Sequence, residues 1–208
     1  LMLGFRFPQN FDSPYQAENI SQFWRRWHMS LSSFLRDYLF IPLGGNRYGQ
    51  LCTLRNLFLV MFLGGLWHGA GWTFILWGVY HGALLVAHAL LRSKVRLPSS
   101  VAIAVTFIAV VFGWVLFRST DLEMTFHLWR SMVGGHGFEQ GMSSLLTAIG
   151  GAKSATVLVG LMLLIFYAPN VWKWKFQPGF PLAAAMAVLL FVCVLRLDAN
   201  SPFLYFQF

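Results

Sequence analysis

Charge is what this chain has least of. Asp, Glu, Lys and Arg make up only 11% of its 208 residues, and the acids among them number seven. A soluble domain carries roughly twice that share. The scarcity of acids leaves no carboxylate relay of the kind that proton pumps and cation channels need inside their spans. It also leaves no paired carboxylates for glycoside hydrolysis. Cysteine is equally scarce. Cys52 and Cys193 stand far apart without CxxC or His-rich spacing, so they supply neither a disulfide framework nor a metal motif and read as small apolar residues. There is no HExxH, no GxSxG, no Walker-type loop and no GxGxxG after a strand. Internal repeats and low-complexity tracts are absent as well.

What the chain has instead is apolar surface: 57% of it is hydrophobic and 17% aromatic. This composition predicts an all-α, polytopic integral membrane bundle with broken or re-entrant helices. The net charge of +8 does not point to nucleic acid, because Lys and Arg flank apolar runs instead of gathering on one face. The opening Leu1-Met2-Leu3-Gly4-Phe5 reads as mid-protein sequence, so we expect the C-terminal portion of a longer chain. Residues 1–208 are expected to form part of one membrane domain. An interfacial amphipathic helix and loops would occupy 1–55, and transmembrane helices 56–208.

The first 18 residues are rich in turn formers (Pro8, Asn10, Asp12, Ser13, Pro14) and read as a surface arm. Asn19 reads as an N-cap with Gln22 as its reciprocal partner, opening one helix from Ile20 to Ile41 that Pro42, Gly44 and Gly45 end. Leu57–Leu91 then runs thirty-five residues without a formal charge. It divides into a short or re-entrant helix to about Leu66, a glycine break, and a fuller helix from about Thr73. Further spans are predicted near 101–117, 155–167 and 181–197, before an aromatic tail from Pro202. The excess of Lys and Arg in 42–56, 92–100 and 168–180 assigns those segments to the cytoplasm.

Six histidines carry the available chemistry. His68 stands out, because it lies in the break Gly64-Gly65-Leu66-Trp67-His68-Gly69-Ala70-Gly71. A titratable group at membrane depth is costly and marks a functional site by default. Irregular backbone there survives only inside protein or against a cavity. Desolvation keeps such an imidazole neutral and able to take a proton from a hydroxyl. The bland alternative is a side chain that caps the break. His28 is a second candidate, or simply an interfacial anchor. His81 reads as a cavity residue, or as an interior histidine bonded to a carbonyl of a neighbouring helix. His88 reads as a polar tip near a span end, and His127 and His136 as solvated loop residues.

The segments Asn19-Ile20-Ser21-Gln22-Phe23-Trp24-Arg25-Arg26-Trp27-His28-Met29-Ser30-Leu31-Ser32, Phe34-Leu35-Arg36-Asp37-Tyr38-Leu39-Phe40-Ile41-Pro42-Leu43-Gly44-Gly45-Asn46-Arg47, Gly64-Gly65-Leu66-Trp67-His68-Gly69-Ala70 and Trp77-Gly78-Val79-Tyr80-His81-Gly82 together resemble the membrane-bound O-acyltransferase family. They are most similar to its bacterial branch of alginate and exopolysaccharide O-acetyltransferases, whose members run to more than twice this length. The resemblance implies a multi-pass enzyme of the bacterial inner membrane. It would move an acyl group from a cytosolic thioester, acetyl-CoA or another acyl-CoA, to a hydroxyl of an extracytoplasmic polysaccharide. No permanently bound cofactor or metal is implied. His68 matches the family's essential histidine, acting as base or carrying the acetyl group itself. His28 matches its second polar position, with Trp67 and His81 as further cavity candidates. Arg25, Arg26, Arg36 and Arg47 would suit the donor's phosphates, or else contact anionic lipids. An SGNH-type acetyltransferase outside the cytoplasm is the implied partner. A non-catalytic conduit or scaffold in a polysaccharide-modifying complex is the alternative.

Overall fold

The computed structural model describes residues 8–135, 151–173 and 179–195, and every described element is helical or a turn. The chain divides into two compact units, Leu1–Ala168 and Pro169–Phe208. In the first unit lie α1 (Ile20–Arg26), α2 (Met29–Leu35), α3 (Gly49–His68), α4 (Trp72–Leu91), α5 (Ser99–Arg118), α6 (Leu122–Met132) and α7 (Ala152–Tyr167). The second unit holds a single turn at Val171–Lys173 and the apolar α8 (Phe180–Leu195). Among the described residues three helices, α3, α4 and α5, are long and apolar enough to cross a membrane. Their outward faces expose large apolar side chains such as Val105 and Ile108 on α5, the reverse of a soluble fold. Lys175, His136 and the aromatic tail from Pro202 lie outside the described residues.

Antiparallel α3 and α4 form the central hairpin. They lie so close because glycines face each other across it. A Cβ on Gly65 would sit 2.4 Å from the Phe74 carbonyl oxygen, and one on Gly78 2.6 Å from the Met61 oxygen. Gly82, one turn after Gly78, meets the backbone of Phe58 in the same way. Small residues four apart let helix backbones touch where lipid provides no hydrophobic drive between helices. The break is shorter than the sequence predicted: Gly69–Gly71 alone separates two helices of 20 residues each. The pass before it is full-length and not short. It begins at Gly49, within the stretch expected to be interfacial helix and loops, and carries Arg55 and Asn56 on its first turns. Asn56 is fully buried and donates from Nδ2 to the Leu43 and Gly45 carbonyls at 3.1 Å each, pinning the Pro42–Gly45 turn to α3.

α5 closes on α4 through the Tyr80 hydroxyl, which donates to the Ala109 carbonyl at 2.8 Å. α6 is amphipathic and capped by Asp121, whose Oδ1 accepts from the Met124 amide at 2.7 Å. His127 is therefore on a helix and not in a loop, although it is exposed as expected.

The single helix expected over 20–41 is instead two, followed by a π turn at Arg36–Phe40. Trp27 is extended and His28 left-handed, with φ 44° and ψ 57°. The cap at Asn19 is present, its Oδ1 accepting from the Gln22 amide at 2.9 Å, but Gln22 Oε1 reaches back to the Glu18 amide instead of Asn19's own.

The hairpin contact yields a stability test. Gly78→Ala should destabilise the protein by about 1–3 kcal/mol through overpacking. Gly160→Ala on α7, where nothing lies within 4 Å, should be neutral or slightly stabilising. Thermal unfolding in mild detergent reads both, and equal effects would contradict the close contact.

Candidate active site

Both candidate histidines stand at helix breaks, and His28 lies close enough to act electrostatically on His68. His68 is the last residue of α3. His28 is the cap residue between α1 and α2.

The break at His28 is built by the arm. The Asp12 amide donates to the Arg26 carbonyl at 2.9 Å, which ends α1. The Asn10 carbonyl accepts from the Met29 amide at 3.0 Å, and Asn10 Oδ1 accepts from both the amide and the hydroxyl of Ser30 at 3.0 and 2.7 Å. Ser32 Oγ then donates to the Trp24 and Trp27 carbonyls at 2.9 and 3.2 Å. Backbone groups that a continuous helix would have paired internally are thus paired across the break. Trp27 fills the space so created, stacked on Phe23 at 5.7 Å and against Trp114 at 4.8 Å. A left-handed residue with a side chain costs on the order of 1–3 kcal/mol, and such strain persists only where neighbours over-determine it.

His68 is half-buried in a ring of aromatics. Phe117 and Trp77 meet it edge-on at 5.1 and 5.2 Å, and Phe74 lies nearly parallel at 6.5 Å. Trp67 contacts the same ring edge-on at 4.9 Å but is itself 66% exposed, so it stands on the outer side of the site. Trp77 connects His68 to His81, 5.0 Å away and 1% exposed. His81 exists in this position because α5 has glycine opposite: a Cβ on Gly113 would lie 2.5 Å from His81 Nε2. His81 Nδ1 and the indole nitrogens of Trp24 and Trp77 find no hydrogen-bond partner among the described residues. The carbonyl partner expected for His81 is therefore not seen at Nδ1.

The arginines scatter. Arg25 lines a cavity of about 690 Å3 together with Asn19, Ser21, Gln50, His88 and Arg92. Arg26 Nη1 reaches the Ser13 carbonyl at 3.5 Å. Arg36 pairs with Asp37 at 2.8 Å on the surface, and Arg47 is exposed in the turn before α3. Sequence reasoning missed Arg92 and His88 as neighbours of Arg25, because only the return of α4 beside the start of α3 brings them there. It also missed Asn10, Ser32 and Gly113, each a small or polar residue whose role is to let another residue hold its place. Among the described residues no group of three His, Cys, Asp or Glu side chains is placed to hold a metal ion.

The family model for membrane-bound O-acyltransferases matches residues 1–128. The chain belongs to the membrane-bound O-acyltransferase family. Both histidine breaks fall inside the matched segment. The chain is 42% identical to the "Probable alginate O-acetylase AlgI" of Pseudomonas putida, over 100% of this chain and 48% of that protein. It is 47% identical to the peptidoglycan O-acetyltransferase of Helicobacter pylori over 66% of this chain and 27% of that protein. The match to the teichoic acid D-alanyltransferase of Bacillus subtilis is 33% over 56% of this chain and 33% of that protein. The chain thus spans about half the length of the alginate relative it matches over its whole length.

Burial holds the His28 imidazole below its ordinary value of 6.5. The unfolded chain therefore takes up a proton there more readily, and the stability contributed by neutral His28, present above the unfolded value, is lost as pH falls from that value through the lower folded one. His28→Asn should shrink the drop in Tm between about pH 7.5 and about pH 5.5. An unchanged drop would show that His28 is not desolvated.

Proposed function

We propose that the protein carrying this chain is an O-acyltransferase. It moves an acyl group, acetyl by analogy with two of the relatives, from a cytosolic thioester such as acetyl-CoA to a hydroxyl of an extracytoplasmic polysaccharide. The observation that carries this reading is that His68 stands at a helix break inside a ring of aromatics, with His28, at a second helix break, within electrostatic range of it. The relatives' names add that the acceptors are sugar-containing or polyol polymers: alginate, peptidoglycan and teichoic acid.

His68 takes the proton of the acceptor hydroxyl as its oxygen attacks the thioester carbonyl. The tetrahedral intermediate then collapses with loss of the thiol, which recovers the proton. A positioned general base contributes about 10²–10⁴-fold. His28, the residue that precedes α2, orients the acceptor or polarises the carbonyl. The aromatic rings exclude water and so protect the thioester from hydrolysis.

The positive-inside rule supports an orientation. Arg47, Arg55, Arg92, Lys94 and Arg96 cluster where α3 starts and α4 ends, which marks the cytoplasmic end in a bacterial inner membrane. A helix of 20 residues rises about 30 Å, so His68 stands near the opposite end of α3. That depth suits an acceptor arriving from outside, with an extracytoplasmic SGNH-type acetyltransferase as the partner that completes delivery. Arg25 stands at the basic end, where the phosphates of a cytosolic donor would arrive.

His68→Gln in the full-length protein should lower polymer acetylation by about 10²-fold or more at normal expression. Wild-type acetylation by that variant would overturn the catalytic role and leave the conduit reading in its place. Thioester cleavage retained without product transfer would instead mean that the chain relays the acetyl group to its partner.

A further inference from the structure

A second cavity, of about 670 Å3, lies between α4 and α5 at the basic end of the hairpin. Its walls are largely apolar, with Leu84 and Leu91 on α4 and Val105 and Ala109 on α5, interrupted by the polar His88 and Thr106. At its mouth stand Arg92 and Arg96, both exposed. Glu18 is the acid on the lining, and its Oε1 is engaged by the Ser99 hydroxyl. Arg92 and His88 also line the polar cavity that holds Arg25, so Arg92 forms the wall between an apolar groove and a polar basin.

The dimensions match one membrane leaflet. From Arg92 to Leu84 the groove follows α4 for about 12 Å, and from Ala102 to Ala109 it follows α5 for about 10 Å. Half of a bilayer's hydrocarbon core is about 15 Å deep. The groove therefore starts at a cationic headgroup level and ends within the same leaflet. A ligand complementary to it has one anionic head and at least one hydrocarbon chain lying parallel to the helices. A soluble phosphate compound would satisfy the arginines but leave the apolar walls unfilled.

We infer that the α4–α5 groove is a binding site for an anionic phospholipid of the cytoplasmic leaflet. Arg92 and Arg96 hold its phosphate, and Leu84, Leu91 and Val105 hold its acyl chain. This site is distinct from the histidine pair and does not depend on the acyl-transfer reading. Two arginines at the headgroup level set a preference for anionic over zwitterionic lipid, since each basic residue near such a surface adds attraction. The lipid would fix the start of α5 against the end of α4, where the 92–98 connection has no helical support of its own.

The test uses full-length protein in nanodiscs of phosphatidylcholine with a minor share of phosphatidylglycerol, followed by native mass spectrometry of the lipid retained after detergent extraction. The parent should retain phosphatidylglycerol preferentially. The double variant R92Q/R96Q should lose that preference by roughly tenfold, while Lys94→Gln, a charge removed from the same connection but outside the lining, should not. Ala109→Phe, which fills the groove and leaves the charges, should reduce retention of both lipids. An R92Q/R96Q protein that retains phosphatidylglycerol like the parent overturns the site. So does a Lys94→Gln effect of equal size, which would reduce the arginines to general surface charge. Full displacement of phosphatidylglycerol by inorganic phosphate would also overturn it, and would make Arg92 and Arg96 a soluble-phosphate site. If R92Q/R96Q does not fold, Ala109→Phe decides: unchanged retention then contradicts the groove.

Discussion

A helix that stops inside packed protein must find partners for the backbone groups it leaves open, because a buried polar group without one is costly. This constraint governs the structure. The chain stops a helix twice near one place, at Trp27–His28 and at His68–Gly71, and each stop is satisfied differently. At the second the loop is so short that Gly69 and Gly71 close it, with the Gly69 amide donating to Leu66 and the Gly71 carbonyl accepting from Phe74 and Ile75. At the first, a separate segment is required. Asn10 and Asp12 of the arm and Ser32 of α2 supply six hydrogen bonds across it (one each to the Met29 amide, the Ser30 amide, the Ser30 hydroxyl and the Arg26 carbonyl, and two from the Ser32 hydroxyl to the Trp24 and Trp27 carbonyls). The reward for both is the same. His28 is held outside helical repetition and His68 at the last position of its helix, each where a neighbouring helix does not bury it completely.

The remaining packing serves that juxtaposition. The glycine contact between α3 and α4 brings Trp77 under His68, and Gly113 on α5 leaves room for His81 behind Trp77. α1 contributes Trp24 to the same block, edge-on to both Trp77 and His81 at 5.6 and 5.1 Å. Three polar ring nitrogens in this block have no partner among the described residues.

Much of this was legible in the sequence, and the reasons are physical. The apolar runs fixed the helical membrane class, and the cost of a histidine in a charge-free segment singled out His68. The glycine at position 78 with its partner at 82 signalled a close contact in retrospect, since the spacing places both on one helix face. The break at His28 was not legible. Phe23, Trp27, Phe34 and Tyr38 keep helical spacing across it, and the residues that force it open, Asn10 and Asp12, belong to an arm whose turn formers read as surface. Local periodicity reports only what a segment prefers alone, whereas this break exists through hydrogen bonds to another segment. The same limit explains the arginines. Four positions close in sequence were read as one cluster, but the break and the π turn point them to different surroundings, and Arg25 finds Arg92 instead.

The central claim is that the two breaks create one site and not two independent features. A double-mutant cycle on acyl transfer by the full-length protein tests it most directly, comparing His28→Asn, His68→Gln and the pair. Residues that share a site couple, so the combined loss should fall short of the summed single losses by about 1 kcal/mol or more. Losses that add within about 0.5 kcal/mol would contradict the claim and place the histidines in separate roles.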